Sequence, residues 1–204
     1  MKATVLIQSI YLLGLNNHPE AAKKWVSVMH SLGAMTGVAH SLSISTASKL
    51  DLILRQLESE HWDDINTSQG DRLSFATDLI SALSDSWILA SYEPIRAACE
   101  QLRDRDEQNS KLSDLHYRLA LVRMPIAKAE IKDAKRQKPE MLLHPVGEGD
   151  PSPKSYAADG SYIVPKAVCG ATGATVWYPI DLKVRQTVAI CRRDLSDEFL
   201  ALFE

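Results

Sequence analysis

The chain has 204 residues, of which 45% are hydrophobic and 24% charged, with a formal net charge of -3 at pH 7. This length and apolar content support one well-buried core, or a helical domain with a smaller appendage, and they exclude a disordered chain. The charge provides no global basic field of the kind that a general nucleic-acid binder needs, so only a local basic patch stays open.

The three cysteines, Cys99, Cys169 and Cys191, lie far apart. None belongs to a Cys-x-x-Cys motif or to a Cys/His cluster with metal-ligand spacing, so we expect reduced thiols in a cytoplasmic protein without metal or other cofactor. Cys169 and Cys191 could pair if their strands were neighbours, which the sequence does not decide. No apolar stretch approaches the ~20 residues that span a bilayer, so we expect no membrane partner.

The N-terminal part predicts two helices. Residues 4–14 fit a helical face slightly better than they fit strict alternation. Residues 19–31 predict a second helix, because Pro19 suits the first turn and the apolar residues follow a helical period. Gly33 is the expected end of this helix.

The next segment is harder to assign. Residues 34–48 are small and hydroxylated, so a short close-packed helix and an ordered loop both stay open, and we favour helix for part of it. Ser45 or Thr46 is then the expected cap of a clear helix that runs to about His61. Residues 66–70 predict a surface turn.

Residues 71–137 predict two long amphipathic helices folded into a hairpin, around which we expect the rest of the chain to pack. Large apolar residues return at steps of three, four and seven, which makes a stripe along a helix. The polar run 103–110 predicts the connecting loop. The second helix is expected to begin at Ser110 or Ser113 and to continue to the end of this segment.

Each hairpin helix contains a proline, Pro94 and Pro125, so each is expected to kink or break. Near these prolines lies the densest set of long polar side chains within apolar sequence. We take this set as the candidate ligand-binding site: Tyr92, Glu93, Arg96, His116, Arg118 and Arg123.

Two interpretations of this set are open. In the first, Glu93 and Arg96, three residues apart on one helix, form a local ion pair. In the second, the arginines at 96, 118 and 123 line a polar pocket that holds a phosphate or a carboxylate. His116 could face Glu93 and Arg96 across the hairpin, whereas a lone histidine on a largely apolar helix is usually structural.

Beyond the hairpin the pattern changes. Prolines and glycines exclude regular helix over residues 139–161, which predicts a long irregular connection. Three short segments rich in β-branched or aromatic residues follow and predict a small antiparallel sheet, at residues 162–168, 175–180 and 183–192. Ser196 is the expected cap of a closing helix.

The expected fold is therefore mainly α. A helical bundle domain over residues 1–138 is organised around the antiparallel helix hairpin. Residues 139–204, with the irregular connection, the small antiparallel β element and the closing helix, are expected to pack on the same domain.

A different interpretation starts from Arg55 and His61, whose Arg-x5-His spacing at a helix end is the format of the HEPN ribonuclease motif. A pair at such a spacing is expected about once by chance in this chain. Gln56 follows the arginine, where that motif prefers a small polar residue.

The plan of residues 71–137 also resembles the helical core of HEPN-type bundles, over about a third of the chain. One helix runs from Ser86-Trp87-Ile88 to Arg96, and a second runs from near Leu112 through Arg123. In that family a histidine four to six residues beyond the motif arginine completes the catalytic pair. Residues 124–129 contain no histidine, so the resemblance implies a protein that is catalytically silent at this position.

Two basic groups would line an RNA-binding face if they lay side by side. They are Lys128, Lys132, Lys135, Arg136 and Lys138, and Lys183, Arg185, Arg192 and Arg193. The first group also suits a helix C-terminus, where cations favour the helix dipole, and that explanation is sufficient by itself.

No nucleophile with its base, no paired carboxylates and no metal set can be assembled from local spacing. The sequence therefore favours a non-enzymatic cytoplasmic helical binding or assembly module, with a second copy or another protein as partner. The alternative is a HEPN-like RNA-binding protein or ribonuclease, in which Arg55 and His61 would be catalytic. A third possibility is a small-anion sensor at Arg96, Arg118 and Arg123.

Overall fold

The structure, a computed structural model, describes residues 2–67, 75–136, 142–143 and 152–203, and only the backbone of Phe75 and Lys154. The described chain is mainly helical, with small antiparallel sheets and a closing helix, which confirms the predicted fold class. Its helices are α1 (Ala3–Asn17), α2 (Pro19–Thr36), α3 (Val38–Thr67), α4 (Phe75–Asp104), α5 (Ser110–Lys128) and α6 (Arg192–Ala201). Its strands are β1 (Leu142–Leu143), β2 (Lys154–Ser155), β3 (Lys166–Val168), β4 (Thr175–Trp177), β5 (Ile180–Asp181), β6 (Gln186–Thr187) and β7 (Ile190–Cys191).

Helix α3, rather than the hairpin, lies at the centre of the bundle. It is 30 residues long and packs against α1, α2 and α4. Two glycines show how closely α1 and α2 approach α3. A Cβ added to Gly14 of α1 would lie 2.3 Å from the carbonyl oxygen of Leu52, and one added to Gly33 would lie 2.9 Å from Ser41 Oγ. Small residues thus allow the helix backbones to approach each other closely.

The helix end predicted at Gly33 is wrong, because α2 continues to Thr36 and is capped by Gly37, whose φ of 88° suits glycine. The caps predicted at Ser45 and Thr46 are wrong too, since both residues lie inside α3. The Thr46 hydroxyl donates to the carbonyl of Leu42 at 3.0 Å, so the helix itself satisfies it. The hydroxyl-rich sequence here belongs to the first half of α3.

The helix hairpin is confirmed as α4 and α5, which pack against each other. Asn109 caps α5 by accepting a hydrogen bond from the Leu112 amide at 3.0 Å. The predicted continuation of α5 to residue 137 is wrong, because the helix ends at Lys128 and Ala129 adopts a left-handed conformation with φ 50°. Pro94 and Pro125 lie inside α4 and α5, and neither ends its helix there.

The C-terminal strands form a three-stranded antiparallel sheet of order β3-β4-β7 and two separate pairs, β1-β2 and β5-β6. Trp177 of β4 and Leu195 and Phe199 of α6 join Trp25 and Trp87 in one continuous core. No helix among the described residues is both long enough and apolar enough to cross a membrane.

The cap predicted for the closing helix is wrong, since α6 begins at Arg192 after Cys191 and Ser196 lies buried inside it. Residues 68–74, which include the expected start of the hairpin at 71 and part of the turn expected at 66–70, lie outside the described residues. So do residues 139–141 and 144–151 of the connection expected over 139–161.

Candidate functional site

Five of the six predicted ligand-binding residues meet between α4 and α5. We call this set, Tyr92, Glu93, Arg96, His116 and Arg123, the α4–α5 polar cluster. The His116 ring stacks on the Tyr92 ring with centroids 5.2 Å apart and planes at 30°. The guanidinium carbon of Arg123 lies 4.8 Å from the centroid of the Tyr92 ring, a cation–π distance.

The charges of this cluster are largely matched within it. Arg96 Nε donates to Glu93 Oε2 at 2.7 Å and its Nη1 donates to Glu100 Oε1 at 2.5 Å. Arg123 Nη2 lies 3.7 Å from Glu93 Oε1. The structure thus contains the local Glu93–Arg96 ion pair, and an added anion would compete with two carboxylates for these arginines.

His116 is held neutral in this cluster. Burial lowers its pKa below the ordinary value of 6.5, and the nearby charges of Lys132 and Arg96 lower it further. Its Nε2 is buried and has no hydrogen-bond partner among the described residues. Burial also raises the pKa of the Tyr92 hydroxyl. The aromatic part of the cluster is therefore uncharged at neutral pH.

The sixth predicted residue, Arg118, lies elsewhere. It forms an ion pair with Glu198 of α6 and lines a cavity of 610 Å³ between α5 and α6, together with Lys111 and Tyr117. Burial lowers the pKa of Arg118. Arg118 thus belongs to a different surface from Arg96 and Arg123.

Arg55 and His61 have different surroundings. Arg55 Nε donates to Asp51 Oδ2 at 2.8 Å, and its Nη2 donates to Ser196 Oγ at 3.0 Å and Asp197 Oδ1 at 2.5 Å. His61 is 4% exposed, and its Nε2 lies 3.1 Å from Thr77 Oγ1 beside a cavity of 230 Å³ that Arg55 does not line. The Arg55 guanidinium thus binds two carboxylates and a hydroxyl, whereas the His61 ring belongs to the wall of a separate cavity.

Sequence reasoning missed the most buried polar group of the described chain. We call it the α3–α6 charge cluster, and its members are Asp51, Arg55, Glu58, Arg192 and Ser196. Arg192 is 0% exposed. Its Nε and Nη2 donate to the two carboxylate oxygens of Glu58, both at 2.5 Å, and its Nη1 donates to Asp51 Oδ1 at 2.5 Å. Such a bidentate pair is the strongest geometry for an arginine and a carboxylate.

Asp51 of α3 accepts hydrogen bonds from side chains of both α2 and α6, so it connects three helices. It also accepts hydrogen bonds from Ser196 Oγ at 2.6 Å and from Trp25 Nε1 of α2 at 2.8 Å. Burial alone would raise its pKa, but the positive charges of Arg192 and Arg55 hold it well below the ordinary value of 3.8. Asp51 is therefore ionised and fully paired inside the core.

One sequence signal could have revealed this cluster. Five residues of α3 follow one another at steps of four, three, four and three, which places them on one helix face, and all five are buried: Ile44, Ser48, Asp51, Arg55 and Glu58. Charged residues in an apolar seam predict a buried polar partner. The partner, Arg192, is 134 residues from Glu58, so local spacing could not identify it.

This arrangement also corrects the basic face proposed for RNA. Arg192 is fully buried, and Arg193 donates through Nε and Nη2 to Glu58 Oε2 at 3.0 and 2.7 Å. Lys183 lies over the Tyr117 ring, with its Nζ 3.5 Å from the centroid. Three of the four residues of the C-terminal basic group, Lys183, Arg192 and Arg193, thus contact other side chains of the protein. Lys138 of the other group lies outside the described residues.

Helix α1 presents a different kind of surface. It buries only Gly14, and it contains no charged residue. Its large apolar side chains are exposed by about half: Val5 48%, Leu6 44%, Ile7 62%, Leu12 56% and Leu13 46%. Apolar patches of this kind on a folded protein mark interaction surfaces.

Within the described ranges, no group of three or more His, Cys, Asp or Glu side chains is placed to hold a metal ion. Three surfaces therefore compete as functional sites: the α1 face, the α4–α5 polar cluster and the cavity beside Arg118. Comparisons of the chain with protein-family models, with curated proteins and with solved structures gave no match.

Proposed function

We propose that this protein is a non-enzymatic assembly module that pairs with a second copy of itself through α1. The observation that supports this function is the exposed apolar face of α1, which carries no charge along its length. The proposal places the module in the cytoplasm, because its three cysteines are free, as expected in a reducing compartment.

The spacing of the face suits helix pairing. Val5 and Leu12 lie seven residues apart, and so do Leu6 and Leu13, so the four side chains form two parallel rows on one face. Burying apolar area gains about 25 cal/mol per Å². A two-fold axis across α1 would bury the same rows of both copies against each other, since such an interface joins identical patches.

A second copy fits this face better than a lipid surface or a nucleic acid does. Helices that lie on membranes carry Lys and Arg on their polar face, and α1 has neither. Binding to RNA requires cations that neutralise phosphates. An uncharged apolar helix is complementary to another uncharged apolar helix.

We do not favour the HEPN-like alternative. Arg55 is held by Asp51, Ser196 and Asp197, and its side chain is 8% exposed. A ribonuclease needs its arginine and histidine at one accessible phosphate. Arg55 lacks the free charge for this role.

The test is the mass of the protein in solution. Analytical ultracentrifugation of the wild type is expected to show a dimer that dissociates on dilution. The double variant Leu6→Asp, Leu13→Asp is expected to be a monomer with unchanged circular dichroism, since both side chains are already partly exposed.

The matched control is Ile163→Asp, at a side chain that is 84% exposed and belongs to none of the helices. This variant is expected to stay dimeric, because one exposed apolar residue outside the face contributes nothing to it. A wild type that is monomeric at every concentration, or a double variant that stays dimeric, would contradict the proposal.

A further inference from the structure

The cavity beside His61 lies between α3, α4 and the three-stranded sheet, and we call it the His61 cavity. Besides His61, it is lined by the first two turns of α4, by strand β3 and by the start of β4. Its volume of 230 Å³ equals that of about eight water molecules in the liquid. It can therefore hold a small organic molecule.

The sheet brings a lysine to this cavity. Lys166 of β3 lies opposite Trp177 of β4, so the two side chains share one face of the sheet. Both contact Asp85 of α4: Lys166 Nζ donates to Asp85 Oδ2 at 2.5 Å, and Trp177 Nε1 donates to Asp85 Oδ1 at 3.0 Å. Asp85 thus fixes the sheet against α4 and holds the Lys166 ammonium group at the cavity wall.

Two hydroxyls of α4 line the cavity as well. Thr77 and Ser81 are four residues apart, so they lie on the same face of the helix. Lys166 Nζ donates to Ser81 Oγ at 3.1 Å. Since this contact uses the oxygen of Ser81 as an acceptor, the hydroxyl proton of Ser81 is available to donate to another group.

His61 has the same effect on Thr77. The His61 residue is 4% exposed, and its Nε2 lies 3.1 Å from Thr77 Oγ1, whereas its Nδ1 is buried and has no partner among the described residues. Buried N–H groups without an acceptor are rarer than buried acceptors without a donor, so we assign the ring proton to Nε2. His61 therefore donates to Thr77, which leaves the hydroxyl proton of Thr77 available as well.

We propose that the His61 cavity binds a small aliphatic monocarboxylate. The hydroxyls of Thr77 and Ser81 donate to its two oxygens. Lys166 donates the third of its N–H groups, since the other two bind Ser81 and Asp85. Three donors around one space select a ligand with two adjacent acceptors.

The rest of the lining sets the size of the ligand and its affinity. Ile80, which is 2% exposed, and Val168 provide an apolar wall for a tail of a few carbons. Asp78 also lines the cavity, and its exposed carboxylate repels an anion, although water screens the repulsion. Because Asp85 also offsets the charge of Lys166, we expect weak binding, with a Kd of about 1 mM.

The experiment titrates the isotope-labelled full chain with sodium butanoate and follows the backbone amides by NMR. The amides of residues 77–81 and 166–168 are expected to shift, with half-saturation at about 1 mM. Butanamide has the same shape but replaces one acceptor by a donor, so it is expected to bind about 10-fold more weakly. Inorganic phosphate is also expected to bind more weakly, since it cannot use the apolar wall.

Three results of this titration would overturn the proposal. One is the absence of shifts at these amides at about 10 mM butanoate, well above the expected Kd. The second is an affinity for butanamide that equals the affinity for butanoate, because the carboxylate would then have no role. The third is tighter binding of phosphate than of butanoate.

Variants test the two polar contributions separately. Ser81→Ala removes one donor and is expected to raise the Kd of butanoate by about 10-fold, and alanine suits the helix at least as well as serine does. Asp78→Asn removes the repulsion at an exposed position and is expected to lower the Kd by about 2- to 3-fold. Weaker binding by Asp78→Asn would contradict the proposal.

The matched control is Ser86→Ala on the same helix. The Ser86 hydroxyl is exposed, donates to the carbonyl of Ala82 at 3.0 Å and does not line the cavity. This variant is expected to bind butanoate with the wild-type Kd, and circular dichroism compares its fold with that of Ser81→Ala. Equal Kd values for Ser81→Ala and Ser86→Ala would refute the assigned role of the Ser81 hydroxyl.

Discussion

The α3–α6 charge cluster and the α4–α5 polar cluster each contain an ion pair between arginine and glutamate, but they differ in their access to water. Arg192 is 0% exposed between Asp51 and Glu58, whereas the Arg96 side chain is 36% exposed between Glu93 and Glu100. Water screens the second set and is replaced by protein donors in the first. Loss of an ion pair between arginine and glutamate is thus expected to lower the stability of the fold little at the surface and strongly in the core.

The two clusters also differ in whether they could hold a ligand. The buried cluster satisfies each carboxylate oxygen of Asp51 and Glu58 with a donor from another part of the chain. It offers no vacant position to a ligand, and we assign it to stability. The α4–α5 polar cluster keeps partial exposure, and its role as a ligand site stays a prediction.

The sharpest test of this difference pairs Arg192→Met with Arg96→Met. The first leaves two buried carboxylates without their main partner and is expected to lower the free energy of unfolding by about 3–5 kcal/mol. The second is expected to lower it by less than about 1 kcal/mol. Urea unfolding followed by circular dichroism measures both changes. Equal losses of stability in the two variants would show that the two clusters do not differ in this way.

A second test uses acid. The pKa of Asp51 in the folded protein lies below the ordinary value of 3.8, so its stabilising effect is complete above that pH and is lost as the pH falls further. Asp51→Asn is expected to cost about 2–3 kcal/mol at neutral pH. The gap between variant and wild type should narrow below pH 3.8, and a gap that stays constant in urea titrations at successive pH values would argue against the assignment.

The smallest effect is expected at His116 in the exposed cluster. Its folded pKa lies below 6.5, so the unfolded chain binds the proton better and stability declines as the pH falls below that value. His116→Phe keeps a ring against Tyr92 and should flatten this slope. His18, whose pKa burial also lowers, contributes separately, so His18→Gln should leave the His116 part of the slope in place. A slope that His116→Phe leaves unchanged would contradict the assignment.

Local patterns were sufficient for the helix hairpin and for the Glu93–Arg96 pair, because both depend on residues three, four or seven apart. They were insufficient for the first half of α3, where small hydroxylated residues suit a loop as well as a close-packed helix. Contacts with neighbouring helices favour the helical conformation there, as the close approach of Gly33 in α2 to Ser41 in α3 shows.

The C-terminal arginines show the same limit in the site. Arg192 and Arg193 are adjacent cations, and sequence alone gave both to a basic face, yet they meet Glu58 of α3 over a distance of 134 and 135 residues. The charged residues in the apolar seam of α3 were visible, but their partner was not. Burial of a charge depends on tertiary pairing, which no short window contains.

The long separation between Glu58 and Arg192 has a consequence for biosynthesis. At the ~5–20 residues per second of translation, Glu58 leaves the ribosome roughly ten seconds before its counter-ion exists. During that interval the nascent N-terminal helices hold carboxylates that no arginine from α6 can yet neutralise. We expect ribosome-stalled chains that stop ahead of residue 192 to be digested readily by protease, and the released full chain to resist it.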